Sequence, residues 1–179
     1  FKGKWAKQRL GAIARITMGR TPSRGIAKFW GPGHRWLAIS DLQERVISDT
    51  AEHITDAGAE GIEVIPAGTL VMSFKLSIGR VAFTGADMYS NEAICALRSL
   101  QVDPVFMYYA LQRVDFSLYG KQAVKGYTLN KQSLKTVEVY CPPEPAEQQA
   151  VGQVLREADE DVEAAERRRD KAKAIKQGM

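Results

Sequence analysis

The residue types that carry out catalysis occur in this chain, but they are not spaced as a catalytic site requires. His34 and His53 lie far apart, without an obvious acid or cysteine partner, so surface or packing roles are favoured over acid–base chemistry. Neither GxxxxGK[ST] nor GxGxxG, the glycine loops that hold nucleotide phosphates, is present. The sequence therefore predicts no catalytic residue and a protein that is not an enzyme.

Methyl transfer and metal chemistry are disfavoured in the same way. The segment Cys141-Pro142-Pro143-Glu144 shares only its prolines with the Asn/Asp-Pro-Pro-Tyr/Phe tetrad of amino-methyltransferases, and it offers no amide to bind a target amine. Cys95 and Cys141 form no CxxC pair and have no clustered histidine, so neither a zinc site nor a disulfide framework is indicated. We expect buried, reduced thiols, a cytoplasmic location, and neither metal nor cofactor.

Three polar, basic segments have the composition of a DNA-binding surface: residues 18–30, 75–80 and 121–131. Arg and Lys neutralise phosphates or bind guanine edges, Gln and Asn pair with adenine, and hydroxyls suit phosphate oxygens. Each segment alone is also typical of solvated surface, and the net charge of +4 adds little. The predicted DNA-binding residues are Arg20, Thr21, Ser23, Arg24, Lys28, Lys75, Ser77, Arg80, Lys121, Gln122, Lys125, Tyr127, Thr128, Asn130 and Lys131.

The elements that must position these segments indicate an α+β fold. Short apolar runs separated by Gly and Pro predict a mixed, strand-rich domain over residues 1–141. Asp103-Pro104 is a good helix start, because Pro suits the first turn. The predicted strands are Trp36–Ser40, Thr69–Lys75, Arg80–Thr84, Ala93–Leu97 and Val137–Tyr140, and the predicted helices are Leu10–Ile16 and Asp103–Leu118.

The chain changes character after Cys141. A Pro-rich junction over residues 142–145 precedes a long coiled-coil-type helix over residues 146–179. Its apolar positions alternate steps of four and three, which keeps them on one face. At about 45 Å the helix is too long to pack against the domain along its whole length. The predicted dimer interface, called the seam below, consists of Val151, Leu155, Ala158, Val162, Ala165 and Ala172.

A solvated helix with an ordinary charged face is the alternative for this segment, although the regular spacing argues against it. No uncharged apolar run reaches the length of about 18 residues that a membrane span requires, so no membrane partner is expected.

The order of these motifs resembles the specificity subunits of type I restriction-modification systems. The stretch that joins the recognition domain to the helix is the most specific element. The motifs that carry the resemblance are Gln8-Arg9-Leu10-Gly11, Gly19-Arg20-Thr21-Pro22-Ser23, the run from Gly68 to Arg80, Asn91-Glu92-Ala93-Ile94, the run from Leu134 to Pro143, and Glu147-Gln148-Gln149-Ala150-Val151.

The resemblance implies a target-recognition domain for half of a bipartite site in double-stranded DNA. It implies a helix that spaces the domains and docks a methyltransferase (modification) subunit, and a restriction/translocase subunit as a further partner. A complete subunit of that family has two domains and two antiparallel helices, whereas this chain has one of each. We therefore expect a homodimer through the seam.

Three alternatives remain at the level of the sequence. The chain can be an excised half of a longer subunit. It can be a protein-interaction module that acts through its long helix. It can also be the specificity end of a fused methyltransferase.

Overall fold

The computed structural model describes residues 4–123 and 126–178; the side chains of residues 121–123 and 126–128 lie outside this description. The strands are β1 (Ala6–Arg9), β2 (Arg15–Met18), β3 (Trp30–Leu37), β4 (Val46–Ile47), β5 (Glu52–Ile54), β6 (Leu70–Ser73), β7 (Val81–Thr84), β8 (Tyr89–Ser90), β9 (Ile94–Arg98), β10 (Lys121–Ala123), β11 (Gly126–Thr128) and β12 (Glu138–Cys141). The α-helices are α1 (Leu10–Ile13), α2 (Asp56–Ala59), α3 (Pro104–Gln112), α4 (Lys131–Thr136) and α5 (Pro145–Lys176).

A five-stranded sheet in the order β2-β9-β6-β7-β4 forms the centre of the fold. Its neighbours are antiparallel except β4 and β7. Successive side chains of a strand point to opposite faces, and β6 shows why both faces are buried: Leu70 and Met72 join one apolar cluster, and Val71 joins another. The unbroken apolar run from Leu70 to Met72 is therefore that of a strand covered on both sides.

Helices cover one face of this sheet, and loops cover the other. Phe106, Met107 and Leu111 of α3 pack with Leu10 and Leu134 in the first cluster. On the opposite face, Leu37, Ile65 and Met88 pack against Val71 and Ile94. A smaller sheet in the order β5-β3-β8 extends from that side.

The mixed α+β class with a long C-terminal helix is confirmed, and four of the five predicted strands form with shifted ends. The predicted strand Trp36–Ser40 is wrong after Leu37, because Ile39–Asp41 form a 3-10 turn. The predicted helix Leu10–Ile16 is wrong after Ile13, because Arg15–Met18 pair with Cys95–Arg98 as β2. The predicted helix Asp103–Leu118 ends at Gln112 and is followed by a 3-10 turn at Phe116–Leu118. Both helix errors arise because pairing and packing across the fold override local pattern.

The two cysteines are buried, free thiols, as expected. Burial raises the pKa of Cys95 to about 12 and that of Cys141 to about 11, so neither is a nucleophile at neutral pH. In residues 4–123 and 126–178, no group of three or more His, Cys, Asp or Glu side chains is arranged to hold a metal ion.

Helix α5 leaves the head, which we define as residues 4–141, after packing against it through its first turns. Gln148 is buried, its Oε1 accepts a hydrogen bond from Asp103 N (2.9 Å), and its Nε2 donates to the Pro142 carbonyl (2.8 Å). A Cβ atom on Gly152 would lie 2.8 Å from Phe106 N, so only glycine allows this approach to α3.

No helix in the described part of the chain is long and apolar enough to cross a membrane.

Candidate nucleic-acid interface

The first basic segment is held by aromatic and acidic partners. The Arg24 guanidinium lies 3.8 Å from the Trp30 ring centroid and 4.9 Å from that of Trp36. It also donates to both carboxylate oxygens of Glu52, at 2.8 Å for the Nη2 to Oε2 bond. The bidentate hydrogen bond from Arg24 is the largest cause of the lowered pKa of Glu52. Burial opposes this shift, and the positive charge of Arg24 adds to it. The Arg24 guanidinium is therefore held in one direction by Glu52 and the two indoles.

Glu92 brings the first and second segments together. Thr21 Oγ1 donates a hydrogen bond to Glu92 Oε2. That hydrogen bond is the largest cause of the lowered pKa of Glu92. Burial opposes the shift, and the positive charges of Lys75 and Arg24 add to it. Thr21 therefore contacts the Glu92 carboxylate, while Lys75, more than 50 positions from Thr21 in the sequence, acts on it through its charge.

The third segment adjoins the second. Residues Lys121–Ala123 and Gly126–Thr128 pair as the antiparallel strands β10 and β11. The chain then returns at Leu129, whose N–H donates to the carbonyl of Phe74, the residue before Lys75 (3.3 Å). Lys125 lies outside the described residues, and so do the side chains of Lys121, Gln122, Tyr127 and Thr128.

Asn130 and Lys131 lie at the start of α4. The Asn130 side chain accepts a hydrogen bond from Ser133 N (2.9 Å) and so caps that helix. Asn130 therefore has a structural role that competes with the predicted reading of bases or sugars. Lys131 is exposed in the first turn of the helix.

The remaining predicted residues lie on the first segment, on the second segment and in a cleft beside α5. Arg20, Ser23 and Lys28 are exposed on the first segment, and the Arg20 carbonyl accepts a hydrogen bond from Trp36 Nε1 (3.2 Å). Ser77 is exposed, and its carbonyl accepts from Ser73 Oγ. Arg80 is not brought to Glu92; it lines a cleft beside α5.

The sequence did not reveal the acidic partners of this surface. Glu52 and Glu92 orient Arg24 and Thr21, and the two indoles flank Arg24. Asn91-Glu92 is recognised only as part of a family motif, and the sequence predicts no role for the Glu92 carboxylate. A carboxylate within a basic surface has no local signal, because its role depends on which segment it faces.

The seam is exposed from Leu155 onward, whereas Val151 is partly buried and packs against the core of the head. Leu155 is 39% exposed and Val162 is 58% exposed, while Gln148 and Gly152 on the neighbouring face meet the head. At its N-terminal end the seam borders an apolar groove of about 670 Å³, where Val151 and Leu155 face Trp5, Leu118 and Tyr140. Trp5, Leu118 and Tyr140 are exposed, so this groove presents apolar side chains to solvent.

Two solved structures have a fold similar to that of this chain. The HsdS subunit from Thermoanaerobacter tengcongensis superposes with a TM-score of 0.72 at 21% sequence identity, over 93% of this chain and 40% of that one. A chain from a study of the structural basis of complex assembly and conformational transition of the type I R-M system gives a TM-score of 0.76 at 20% identity, over 95% of this chain and 42% of that one. At such identities the likeness concerns the fold.

The sequence comparisons go further than the fold. The chain is 28% identical over 170 residues to the type I restriction enzyme MjaIX specificity subunit of Methanocaldococcus jannaschii, covering 89% of this chain and 39% of that protein. It therefore spans about two fifths of the relatives' length. The family model described as the type I restriction modification DNA specificity domain matches residues 2–174. Because that match takes in the head, the junction and nearly all of α5, the chain belongs to the family of type I restriction-modification DNA specificity domains.

Proposed function

We propose that this chain is a non-catalytic half-subunit of a type I restriction-modification system that acts on DNA in the cytoplasm. Residues 1–141 form its recognition domain, residues 142–145 its junction, and residues 146–179 its dimerisation and spacing helix. The observation that carries the proposal is the meeting of distant basic segments at Glu92 and Phe74. Such a surface presents several cations and hydroxyls to one DNA half-site.

The proposed assembly is a homodimer through the seam. One copy spans about two fifths of the relatives' length, so two copies would supply a pair of heads and a pair of helices. A two-fold axis across the helices would set identical heads at opposite ends and select a palindromic, interrupted site. The exposed Leu155 and Val162 supply an apolar face for this contact.

The proposed protein partners are a methyltransferase subunit and a restriction/translocase subunit. One of the two similar solved structures comes from work on complex assembly of the type I R-M system, and this likeness supports the choice. In this division of labour the chain selects the sequence and its partners carry out the chemistry.

Mapping genomic methylation in strains with and without the gene tests the proposal. We expect a bipartite, palindromic motif to be methylated only when the gene is present. Identical methylation maps in the two strains would refute the proposed role.

We predict that Arg20→Ala with Lys28→Ala weakens DNA binding on every sequence. Each phosphate contact contributes about 0.9 to the slope of log affinity against log salt, so the slope should fall by about 2. Titrating labelled duplexes at several salt concentrations measures it. Arg9→Ala with Lys171→Ala, which removes equal charge outside the basic segments, is the matched control. An equal loss of slope in both double variants would contradict the assignment.

We predict that Glu92→Ala weakens DNA binding although it removes a negative charge. Simple electrostatics would give tighter binding, because the DNA backbone is negative. Loss of Glu92 frees Thr21 and removes a counter-charge near Arg24 and Lys75, so the first two segments no longer share a fixed geometry. Titration of duplex DNA decides between the two outcomes, and Glu60→Ala, an exposed acid on the head, is the control. Tighter binding by Glu92→Ala alone would show that Glu92 does not position the surface.

A further inference from the structure

The junction between the head and α5 changes from close packing to an open cleft within a few turns. At Gln148 and Gly152 the helix lies directly against α3. About two turns later a polar cleft of about 830 Å³ separates it from the head, with Arg45 and Tyr108 on one side and Asp159 and Glu163 on the other. The closest packing of α5 on α3 is therefore near Gln148 and Gly152, and we call this place the pivot.

Arg45 spans this cleft. Its Nη2 donates to Glu160 Oε1 at 3.2 Å, and Glu160 also lies 3.9 Å from Arg156 Nε. The Arg45 side chain is 25% exposed and the Glu160 side chain is 53% exposed, so the cation of this pair is partly shielded from water. Within residues 4–123 and 126–178, it is the sole ion pair that joins the head to α5.

Tyr109 adds to the same junction from α3. Its hydroxyl and Arg45 Nη1 are buried without a hydrogen bond of standard geometry to the described residues. Burial, and then the neighbouring Asp159, raise the pKa of Tyr109 to about 12, which keeps the phenol neutral. Burial alone would lower the pKa of Arg45. Tyr109 and Glu160 outweigh that effect, so the pKa of Arg45 is raised overall. The guanidinium therefore stays charged at physiological pH.

Because α5 is long, a small change in its angle to the head moves its far end by a large distance. From Gly152 to Lys176 the helix extends about 36 Å at 1.5 Å per residue. A change of about 5° at the pivot would move the far end by about 3 Å, close to the rise of one DNA base pair. An angular error too small to harm folding would thus displace one head sideways relative to the other by a distance comparable to one base-pair step.

We propose that Arg45 is a positioning residue that fixes the angle between the head and α5, and thereby restricts the spacer lengths that a dimer accepts. This inference rests on the proposed function, because spacer length has meaning only for two linked heads. It assigns Arg45 a role although it lies outside the predicted DNA-binding residues.

The mechanical part can be tested without DNA. Spin labels on cysteines introduced at the exposed positions Gln132 and Arg168 report the distance between the head and the helix, with labelled protein diluted into unlabelled protein. The native cysteines are buried. We expect a narrow distance distribution for the parent protein, and one broadened by about 3 Å for Arg45→Ala. The charge swap Arg45→Glu with Glu160→Arg should narrow it again. An unchanged distribution in Arg45→Ala would overturn the inference.

The functional part uses duplexes in which the two half-sites are separated by the preferred spacer or by one base pair more or less. With the partner methyltransferase, the parent protein should strongly prefer one spacer. Arg45→Ala should reduce that preference by about fivefold, as expected for one partly shielded ion pair. Arg15→Ala, which breaks the exposed pair with Glu63 inside the head, should leave the preference unchanged.

The outcomes separate the two proposals. Failure of the parent protein to direct methylation to any bipartite site would refute the proposed function. A parent protein with a clear spacer preference that Arg45→Ala fully retains would refute the role of Arg45 alone.

Discussion

Leu155→Glu with Val162→Glu is expected to convert a dimer into a monomer and to abolish methylation of a bipartite site. Both side chains are exposed on α5, and Val162 lies near the middle of the seam that runs from Val151 to Ala172. In a symmetric antiparallel pair, residues near the middle face their own copies, so Val162→Glu would place two carboxylates opposite each other. We expect the dimer dissociation constant to rise at least about 100-fold, or about 3 kcal/mol.

Sedimentation at tens of micromolar measures the effect on assembly, and methylation of a bipartite duplex with the partner methyltransferase measures its consequence. Gln153→Glu is the control, because Gln153 is exposed on the same helix but lies on the face opposite the seam. DNA binding by a single head should persist in all variants, since the seam does not include the basic segments. If the doubly substituted protein still sedimented as a dimer, the seam would not be the interface.

Replacing Gln148 by leucine is expected to lower the free energy of unfolding by about 2–4 kcal/mol. Gln148 is 6% exposed and bridges Asp103 N and the Pro142 carbonyl. Leucine has a similar volume but no polar atoms, so both backbone groups would lose their partner in a buried place. The loss should also loosen the first turns of α5 on α3, because this side chain joins the two helices.

Urea unfolding followed by circular dichroism measures this change, and the slope with denaturant should stay the same. Gln149→Leu, at the adjacent exposed position, should change stability by less than about 0.5 kcal/mol. Equal effects of the two substitutions would show that the hydrogen bonds of Gln148 contribute little.

Much of the framework could be predicted because its signals are local. The β-branched and aliphatic runs at Leu70–Ser73 and Val81–Thr84 form strands, as predicted. Asp103-Pro104 begins α3, where the Asp103 side chain accepts a hydrogen bond from Phe106 N at 2.8 Å. The step pattern of the seam predicted a long helix with one exposed apolar face, and α5 extends unbroken over Pro145–Lys176.

The arrangement of charges could not be predicted in this way. Arg24 with Glu52, and Thr21 with Glu92, are pairs between residues far apart in the chain. Arg80 belongs by sequence to a predicted DNA-binding segment, yet it lines the cleft beside α5. Neighbouring residues of a hairpin can face opposite sides, so shared composition does not imply a shared surface.

The amino-acid sequence by itself determined the α+β class, the Pro-rich junction, the long seamed helix and the collinear motifs of the family, because each depends on residues close together in the chain. The tertiary structure decided which side chains meet: Thr21 with Glu92, Arg24 with Glu52, and Arg45 across the cleft with Glu160. Most of these residues lie in the turns and loops between strands, so strand register and helix packing set the distances between them.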